Sequence, residues 1–224
     1  MADRVKVRSL FDQLAPSYDR LNRLFSLGMD IGWRKQLVAA VARQNPARIL
    51  DLACGSGDVT TMLQQAVPKA QVVGLDFSRP LLTRAKGRGL AELAEADALK
   101  LPFADGSFDA VTIAFGLRNF SDRAAGLHEI ARVLKPGGLF GLLEFSPPPM
   151  PWKLFWNLYL YHLMPFVAQL VAQQGNSFRY LARSIADFPS PSALNHELSS
   201  AGLKLLFSRS FALRLVQLTI CVRS

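Results

Sequence analysis

The sequence predicts an α/β fold built on a seven-stranded, mostly parallel sheet, and three observations carry that prediction. Apolar strand-like runs alternate with helical patterns from residue 48 to residue 145. The first run ends in a glycine-containing turn, Asp51-Leu52-Ala53-Cys54-Gly55-Ser56-Gly57-Asp58, that opens a helix. The last two runs, 203–210 and 214–222, stand too close together for a crossover and predict an antiparallel hairpin at the sheet edge.

Taken in order, residues 1–45 read as a helical cap, with helices over 9–14, 17–27 and 32–43 punctuated by Pro16, Gly28 and Pro46. Residues 46–146 form the core. Strands at 48–53, 71–76 and 93–96 alternate with helices at 58–67 and 79–88. A strand at 108–115, a helix at 122–134, the turn Lys135-Pro136-Gly137-Gly138 and a strand at 139–145 continue the doubly wound order. Pro147, Pro148, Pro149 and Pro151 then break it, and 147–190 reads as an apolar lid with a helical stretch near 178–187. A last helix at 191–201 and the two edge strands fill 191–224. At 224 residues, all of this belongs to one domain with a sizeable core.

The turn between the first strand and helix points to a ligand. Gly55 and Gly57 let a small molecule approach the backbone, and the helix N-terminus favours a negative group. Such turns serve dinucleotides or S-adenosylmethionine. A dinucleotide site wants Gly or Ala where this chain has Thr60, and Asp51 and Asp58 would repel a pyrophosphate. The ammonium and sulfonium of S-adenosylmethionine are instead attracted by acids, so that cofactor is expected. Asp76, with Phe77 after it, ends the second strand nineteen residues after Gly57, where a carboxylate can accept both ribose hydroxyls. Asp97, followed by Ala98, ends the third and is placed to take the adenine amino group. Each acid taken alone also reads as a surface charge or helix cap, and Asp76-Phe77-Ser78 does resemble a helix entry.

Charge is uneven. The net +9 divides into +5 over residues 1–50 (9 basic, 4 acidic), −1 over 51–148 (10 and 11) and +5 over 149–224 (7 and 2). The surplus flanks the nucleotide-binding core, where a basic face would attract anionic lipid, while scattered solvated charges read equally well. Residues 154–172 carry no formal charge, close to the length of a membrane span, but Asn157, His162, Pro165 and Gln169 lie inside. Two readings remain for this stretch: a helix pair capping an apolar pocket, or a helix at a membrane surface with Trp152, Trp156, Tyr159 and Tyr161 at headgroup depth. Both suit a lipophilic substrate. Met-Ala-Asp-Arg-Val-Lys-Val-Arg at the start is no export signal, and Cys54 and Cys221, read as buried strand thiols, suit a reducing compartment. A cytoplasmic, peripherally membrane-associated protein is expected. No His, Cys, Asp and Glu cluster has metal-ligand spacing, so no metal is expected.

Longer motifs carry a resemblance. Phe11-Asp12-Gln13-Leu14-Ala15-Pro16-Ser17-Tyr18-Asp19 with Asn22, Ser26 and Trp33, then Phe115-Gly116-Leu117-Arg118-Asn119-Phe120-Ser121-Asp122, stand early and mid-chain. Arg132-Val133-Leu134-Lys135-Pro136-Gly137-Gly138 with Glu144-Phe145-Ser146 follows, and Arg179-Tyr180-Leu181, Ser184-Ile185, Phe188-Pro189 and Ala201-Gly202-Leu203 extend the pattern. Over nearly its whole length the chain resembles the ubiquinone and menaquinone biosynthesis C-methyltransferases. The resemblance implies a Rossmann-like class I methyltransferase that uses S-adenosylmethionine to methylate the ring of a reduced prenylated quinone. Asp30, where ubiquinone-type members usually carry His, resembles the plant and cyanobacterial branch acting on 2-phytyl-1,4-naphthoquinol. Ala114 stands where many members have Ser and removes a hydroxyl from the cofactor site.

Methyl transfer to a ring carbon needs an electron-rich quinol, so the oxidised quinone is expected to be inert. Arg118 and Asn119 are the expected catalytic pair, the guanidinium holding a phenolate and the amide orienting it, although a structural salt bridge and turn is the plainer reading. Arg118 is a poor proton acceptor, so its role is electrostatic. Tyr18, Asp30 and His162 are the expected substrate contacts, read otherwise as a packing tyrosine, a helix cap and an interfacial histidine; His128 is expected to face solvent. Rival readings are a nucleic-acid methyltransferase, whose Asn/Asp-Pro-Pro-aromatic motif is missing after strand four, and a non-catalytic membrane or nucleic-acid binding module. No nucleic-acid partner is expected, and the oligomeric state is open.

Overall fold

In the computed structural model, residues 4–164, 166 and 175–224 are described. Three cap helices, α1 (Arg4–Leu14), α2 (Tyr18–Phe25) and α3 (Met29–Ala42), precede β1 (Arg48–Leu52). There follow α4 (Asp58–Ala66), β2 (Gln71–Asp76), α5 (Arg79–Gly87), β3 (Leu93–Glu95), β4 (Phe108–Ala114), a 3-10 turn at Leu117–Asn119, α6 (Arg123–Val133) and β5 (Leu134–Phe145). After the proline run come α7 (Trp152–Leu158), a π turn at Tyr159–Leu163, α8 (Gly175–Ala186), α9 (Pro191–Ser200), β6 (Leu203–Phe211) and β7 (Val216–Arg223).

The strands form one seven-stranded sheet in the order β3-β2-β1-β4-β5-β7-β6. The pairs from β3 to β5 are parallel, and β7 pairs antiparallel with both β5 and β6, so the expected hairpin forms that edge of the sheet. Because β4 returns to the far side of β1, the chain order reverses between those strands. A crevice opens there at their carboxyl ends, the usual place for a ligand in such sheets. The expected turn at 135–138 lies within the long span of β5, which is exposed at Lys135, Pro136 and Gly137 and buried from Gly138 to Glu144.

The two sheet faces carry separate apolar layers, as parallel strands buried on both sides require. Leu50, Leu52, Val73 and Leu75 face α6 and α9 through Leu127, Ile130, Leu194 and Leu198. Ile49 and Val72 face α3 and α4 through Leu37, Val41, Val59 and Leu63. The two-residue strand period puts Asp51 on the Ile49 side, under α4. A third cluster joins Leu14 and Leu21 of the cap to Leu160, Met164, Ala182 and Ile185 of the apolar segment. That segment, expected as a lid over 147–190, partly lies outside the described residues, among them Pro165 and 167–174. Among the described residues no helix is long and apolar enough to cross a membrane.

Candidate active site

The crevice begins with an unusual backbone. Ala53 and Phe115, at the ends of β1 and β4, both hold positive φ, at 55° and 62°. Non-glycine residues adopt that region rarely and mostly where the surroundings impose it. A Cβ on Gly116 would stand 2.6 Å from Ala53 Cβ, so that glycine is what lets the two strand ends approach. Gly55 also has positive φ, 57°, and a Cβ there would meet only Tyr18 Cε1 at 3.7 Å, on the ligand side. Gly57 serves packing instead. Its φ is 85°, and an added Cβ would collide with Leu90 Cδ1 at 2.3 Å rather than face the crevice.

An open cavity of about 760 Å³ runs across these strand ends, lined by Gly55, Asp76, Phe77, Asp97, Ala98, Asn119 and apolar side chains. Asp76 is buried and accepts hydrogen bonds from the Gly55 amide (2.8 Å) and the Ser78 amide (2.9 Å). Burial pushes its carboxyl up to about 6, against those amide bonds, which favour ionisation. Asp97 accepts from the Leu99 amide at 3.1 Å. These residues fit S-adenosylmethionine: an acid at each of two successive strand ends, apolar walls between them, and a backbone kept bare at Gly55. Ala114 lines the same cavity.

Asp51 and Thr60 stand one layer deeper. The Asp51 carboxylate accepts from the Thr60 hydroxyl at 2.6 Å and the Thr112 hydroxyl at 2.8 Å, locking α4 to β1 and β4. Burial raises Asp51 to about 6. It still borders a small polar pocket beside Gly55, whereas Thr60 and Gly57 line none of these cavities. For those two the expected cofactor contact is corrected to a supporting role. Cys54 sits in the turn rather than in a strand, half-buried, with burial holding its thiol well above the usual range.

A second cavity of about 1030 Å³ lies under the cap, walled by Leu14, Leu21, Phe25, Met29, Trp33, Phe145, Trp156, Leu160, Met164 and Leu215. Its polar edge holds Asp30, Arg34 and Arg118. Phe11, Tyr18 and Phe115 line both large cavities, so the two meet there. Burial raises the Tyr18 hydroxyl, while nearby Arg34 and Arg118 pull it back down. Sequence reasoning missed most of these walls, because the residues come from α1, α2, α3, β5, α7 and α8, far apart in the chain; Trp33 stood out only as part of the first motif, and Trp156 as an aromatic of the apolar segment.

Arg118 and Asn119 part company. Arg118 Nη1 donates to Glu144 Oε1 at 2.8 Å and to the Phe115 carbonyl, and the guanidinium lies 5.1 Å from the Phe145 ring centroid. The salt bridge considered as the plainer reading is therefore present. Among the described residues Arg118 Nε has no hydrogen-bond partner, so the ion pair leaves part of the guanidinium unsatisfied at the apolar cavity. Asn119 instead lines the cofactor cavity, its Oδ1 accepting from Tyr180 Oη at 3.1 Å. The expectation that its amide orients the acceptor ring is corrected: successive residues of a 3-10 turn point about 120° apart. Asp30 is drawn into ion pairs with Arg23 and Arg34 and accepts from Ser26 Oγ at 2.7 Å. His162, in the π turn, is exposed and absent from the cavity wall, which corrects it as a substrate contact. A wider helical turn displaces the residues around it, turning Leu160 inward and His162 out. His128 is exposed, as expected.

A doubly wound sheet with this crevice at its strand ends, joined to an apolar cavity, has the architecture of the S-adenosylmethionine-dependent methyltransferases. The profile of the ubiE/COQ5 methyltransferase family matches residues 1–222, and the chain belongs to that family. It is 46% identical over 204 residues to a demethylmenaquinone methyltransferase of Thermus thermophilus, covering 88% of this chain and 93% of that one. A demethylmenaquinone methyltransferase of Thermotoga maritima is 41% identical over 207 residues, covering 90% of each chain. Among solved structures, a SAM-dependent methyltransferase from Thermotoga maritima aligns with TM-score 0.67 at 15% identity, covering 97% of this chain and 100% of that one. The [4+2]-cyclase SpnF aligns with TM-score 0.71 at 17% identity, covering 100% and 97%. The likeness to a cyclase shows that the fold alone does not fix the reaction.

Proposed function

We propose that this protein C-methylates the ring of a reduced 2-prenyl-1,4-naphthoquinol, as a cytoplasmic enzyme in peripheral contact with an anionic membrane. The observation that carries the reading is the meeting of the cofactor cavity and the apolar cavity at Phe11, Tyr18 and Phe115, with Arg118 on the apolar side. When bound, S-adenosylmethionine supplies an electrophilic methyl on a sulfonium. Asp76 and Asp97 hold the nucleoside end, and Asp51 offsets positive charge from below the turn. Arg118, fixed by Glu144, stabilises phenolate character on the quinol and so enriches the adjacent ring carbon. Asn119, held by Tyr180, orients groups on the cofactor side, and Tyr18 and Asp30 border the acceptor ring. The curated relatives named for demethylmenaquinone support the naphthoquinol ring. The phytyl tail rests on the Asp30 resemblance alone. Since Asp30 is engaged by two arginines, it has little capacity left to read a tail.

Membrane contact is supported by exposed Met150, Trp152, Leu154, Phe155, Leu158 and Leu163 and by the lack of any acid between Glu144 and Asp187. Trp156 and Tyr159 turn inward instead, Tyr159 Oη donating to the Phe25 carbonyl at 2.8 Å.

The test is transfer of label from methyl-labelled S-adenosylmethionine to 2-phytyl- and 2-polyprenyl-1,4-naphthoquinols, with the oxidised quinones and a prenylated benzoquinol in parallel. Product with the reduced naphthoquinols alone is expected. Equal rates on the benzoquinol would overturn the ring assignment, and no product with any quinol would overturn the function. The ratio of phytyl to polyprenyl rates decides the tail. Unchanged liposome binding after Trp152, Phe155 and Leu158 are replaced by Ser would overturn the membrane contact.

A further inference from the structure

Beyond Gly55, the cofactor cavity continues into a polar pocket of about 310 Å³, sharing Tyr18, Ala53, Gly55 and Ala114 with it. The direction of the cofactor follows from the acids already placed: Asp97 at the adenine, Asp76 at the ribose, and the amino acid end in this pocket. That end carries an ammonium and a carboxylate. Asp51 and Asp58 border the pocket as anions, and among the described residues Arg34 is the one cation on its wall.

Arg34 is buried, with 7% of its side chain exposed. Its Nη1 donates to Asp30, and its guanidinium lies 5.4 Å from the Phe115 ring centroid. No hydrogen bond occupies its Nη2 or Nε among the described residues. Asp58 is 3.9 Å from Arg34 but is already bound by Arg23 at 2.8 Å and Arg88 at 2.6 Å. Burial works to raise the Asp58 carboxyl, yet Arg34, Arg88 and Arg23 together hold it below the usual range. The connected ion pairs join Arg23, Arg34, Arg84 and Arg88 to Asp19, Asp30 and Asp58, four cations to three anions. Within that network Arg34 and Asp30 are buried, whereas Arg23, Arg84 and Arg88 are 30–40% exposed, so the free edge of Arg34 is the cation screened from solvent, and a guanidinium edge is the shape that binds a carboxylate.

We propose that Arg34 binds the α-carboxylate of the cofactor and, through Asp30 and α3, couples cofactor occupancy to the cap that walls the apolar cavity. Arg34 is suited to both because it lines the polar pocket and the apolar cavity at once. The assignment rests on the cofactor reading above, and the test separates the two.

Binding of S-adenosylhomocysteine, its carboxamide analogue and 5′-methylthioadenosine, which lacks the amino acid end, is measured by calorimetry on the full chain. For the native protein, the carboxamide is expected to bind at least tenfold more weakly than S-adenosylhomocysteine. Arg34→Met should lose at least tenfold for S-adenosylhomocysteine and stay within twofold for methylthioadenosine, with Arg34→Lys between. Equal losses for both ligands, or none, would overturn the contact; failure of native protein to bind any of the three would instead overturn the cofactor reading. The carboxamide comparison needs no substitution, so a carboxamide that binds as tightly as S-adenosylhomocysteine overturns the contact even where Arg34→Met does not fold, and Arg34→Lys then assigns the residue. For the coupling, Trp fluorescence quenching by 2-methyl-1,4-naphthoquinone should tighten at least threefold with S-adenosylhomocysteine and not with methylthioadenosine. The same tightening with both ligands, or with neither, would overturn the coupling.

Discussion

The two large cavities are built in different ways. The cofactor cavity is assembled from the ends of consecutive strands, with Gly55, Asp76, Phe77, Asp97 and Ala98 each within a few residues of a β-strand terminus. The apolar cavity is assembled from helices of the cap and of the segment after the proline run, which meet only through tertiary packing. One is built mainly on strand ends and closed by Val7, Phe11 and Tyr18 of the cap; the other depends on how the two helical flanks close over the sheet. The difference teaches that cofactor binding and acceptor binding should be separable by mutation, with Tyr18 at their junction and Arg118 on the apolar side.

Replacing Arg118 tests that separation most severely. Arg118→Met is expected to lower kcat by roughly 10² to 10³-fold, as for loss of a group aimed at developing charge, with cofactor affinity within twofold. It also strands buried Glu144, which costs about 3–5 kcal/mol of stability. The pair Arg118→Met with Glu144→Gln should therefore recover thermal stability without recovering turnover. Turnover in that double variant would make Arg118 purely structural.

Asp76→Ala probes the cofactor side alone. Loss of charge-assisted hydrogen bonds worth about 1.5–3 kcal/mol should weaken S-adenosylhomocysteine by roughly 10 to 100-fold and leave naphthoquinone quenching unchanged. A matching loss of quinone binding would show that the cavities are one.

A milder effect comes from pH. Burial pushes Asp51 and Asp76 up to about 6, above the ordinary value of 3.8, and in the proposed function both meet the ligand as anions. Cofactor affinity should then fall by roughly tenfold per participating carboxylate between pH 7 and pH 5, with protons released on binding near pH 6. The sign for folding is opposite. Groups with raised carboxyl values bind more protons in the folded state, so their contribution to stability grows as pH falls from above 6 toward 4. Calorimetry across that range checks both; pH-independent affinity would show that neither carboxylate meets the ligand as an anion.

The smallest change is at the cavity lid. Tyr159→Phe removes the bond to Phe25 and should cost about 1 kcal/mol of stability, raising the quinol KM by a few-fold without changing cofactor affinity. An altered cofactor affinity would place the lid in contact with both sites.

Much of the strand order was legible because parallel strands buried on both faces leave near-continuous apolar runs, as in 48–53 and 71–76, closed by acids at fixed places. The hairpin was legible from a gap too short for a helix. Helix ends shifted by a few residues, and the first cap helix reaches back to Arg4 rather than Ser9. The role of Thr60 was misread because sequence spacing places it in the turn motif but says nothing of depth, and its hydroxyl points down to Asp51. Arg34 was passed over for the opposite reason. A charged residue on a helix reads as solvated surface until packing buries it.

By itself, the sequence determined the sheet, the crevice and the acids Asp76 and Asp97 that line it, since each follows from local periodicity and from the strand-end position of a short motif. Tertiary structure decided which cavity each residue of the Arg118-Asn119 pair lines, that His162 turns outward while Trp156 and Tyr159 turn inward, and that Asp30, Asp58 and Arg34 share one ion-pair network. Those outcomes depend on contacts between segments distant in the chain, where burial and pairing of charge, rather than spacing, set the arrangement.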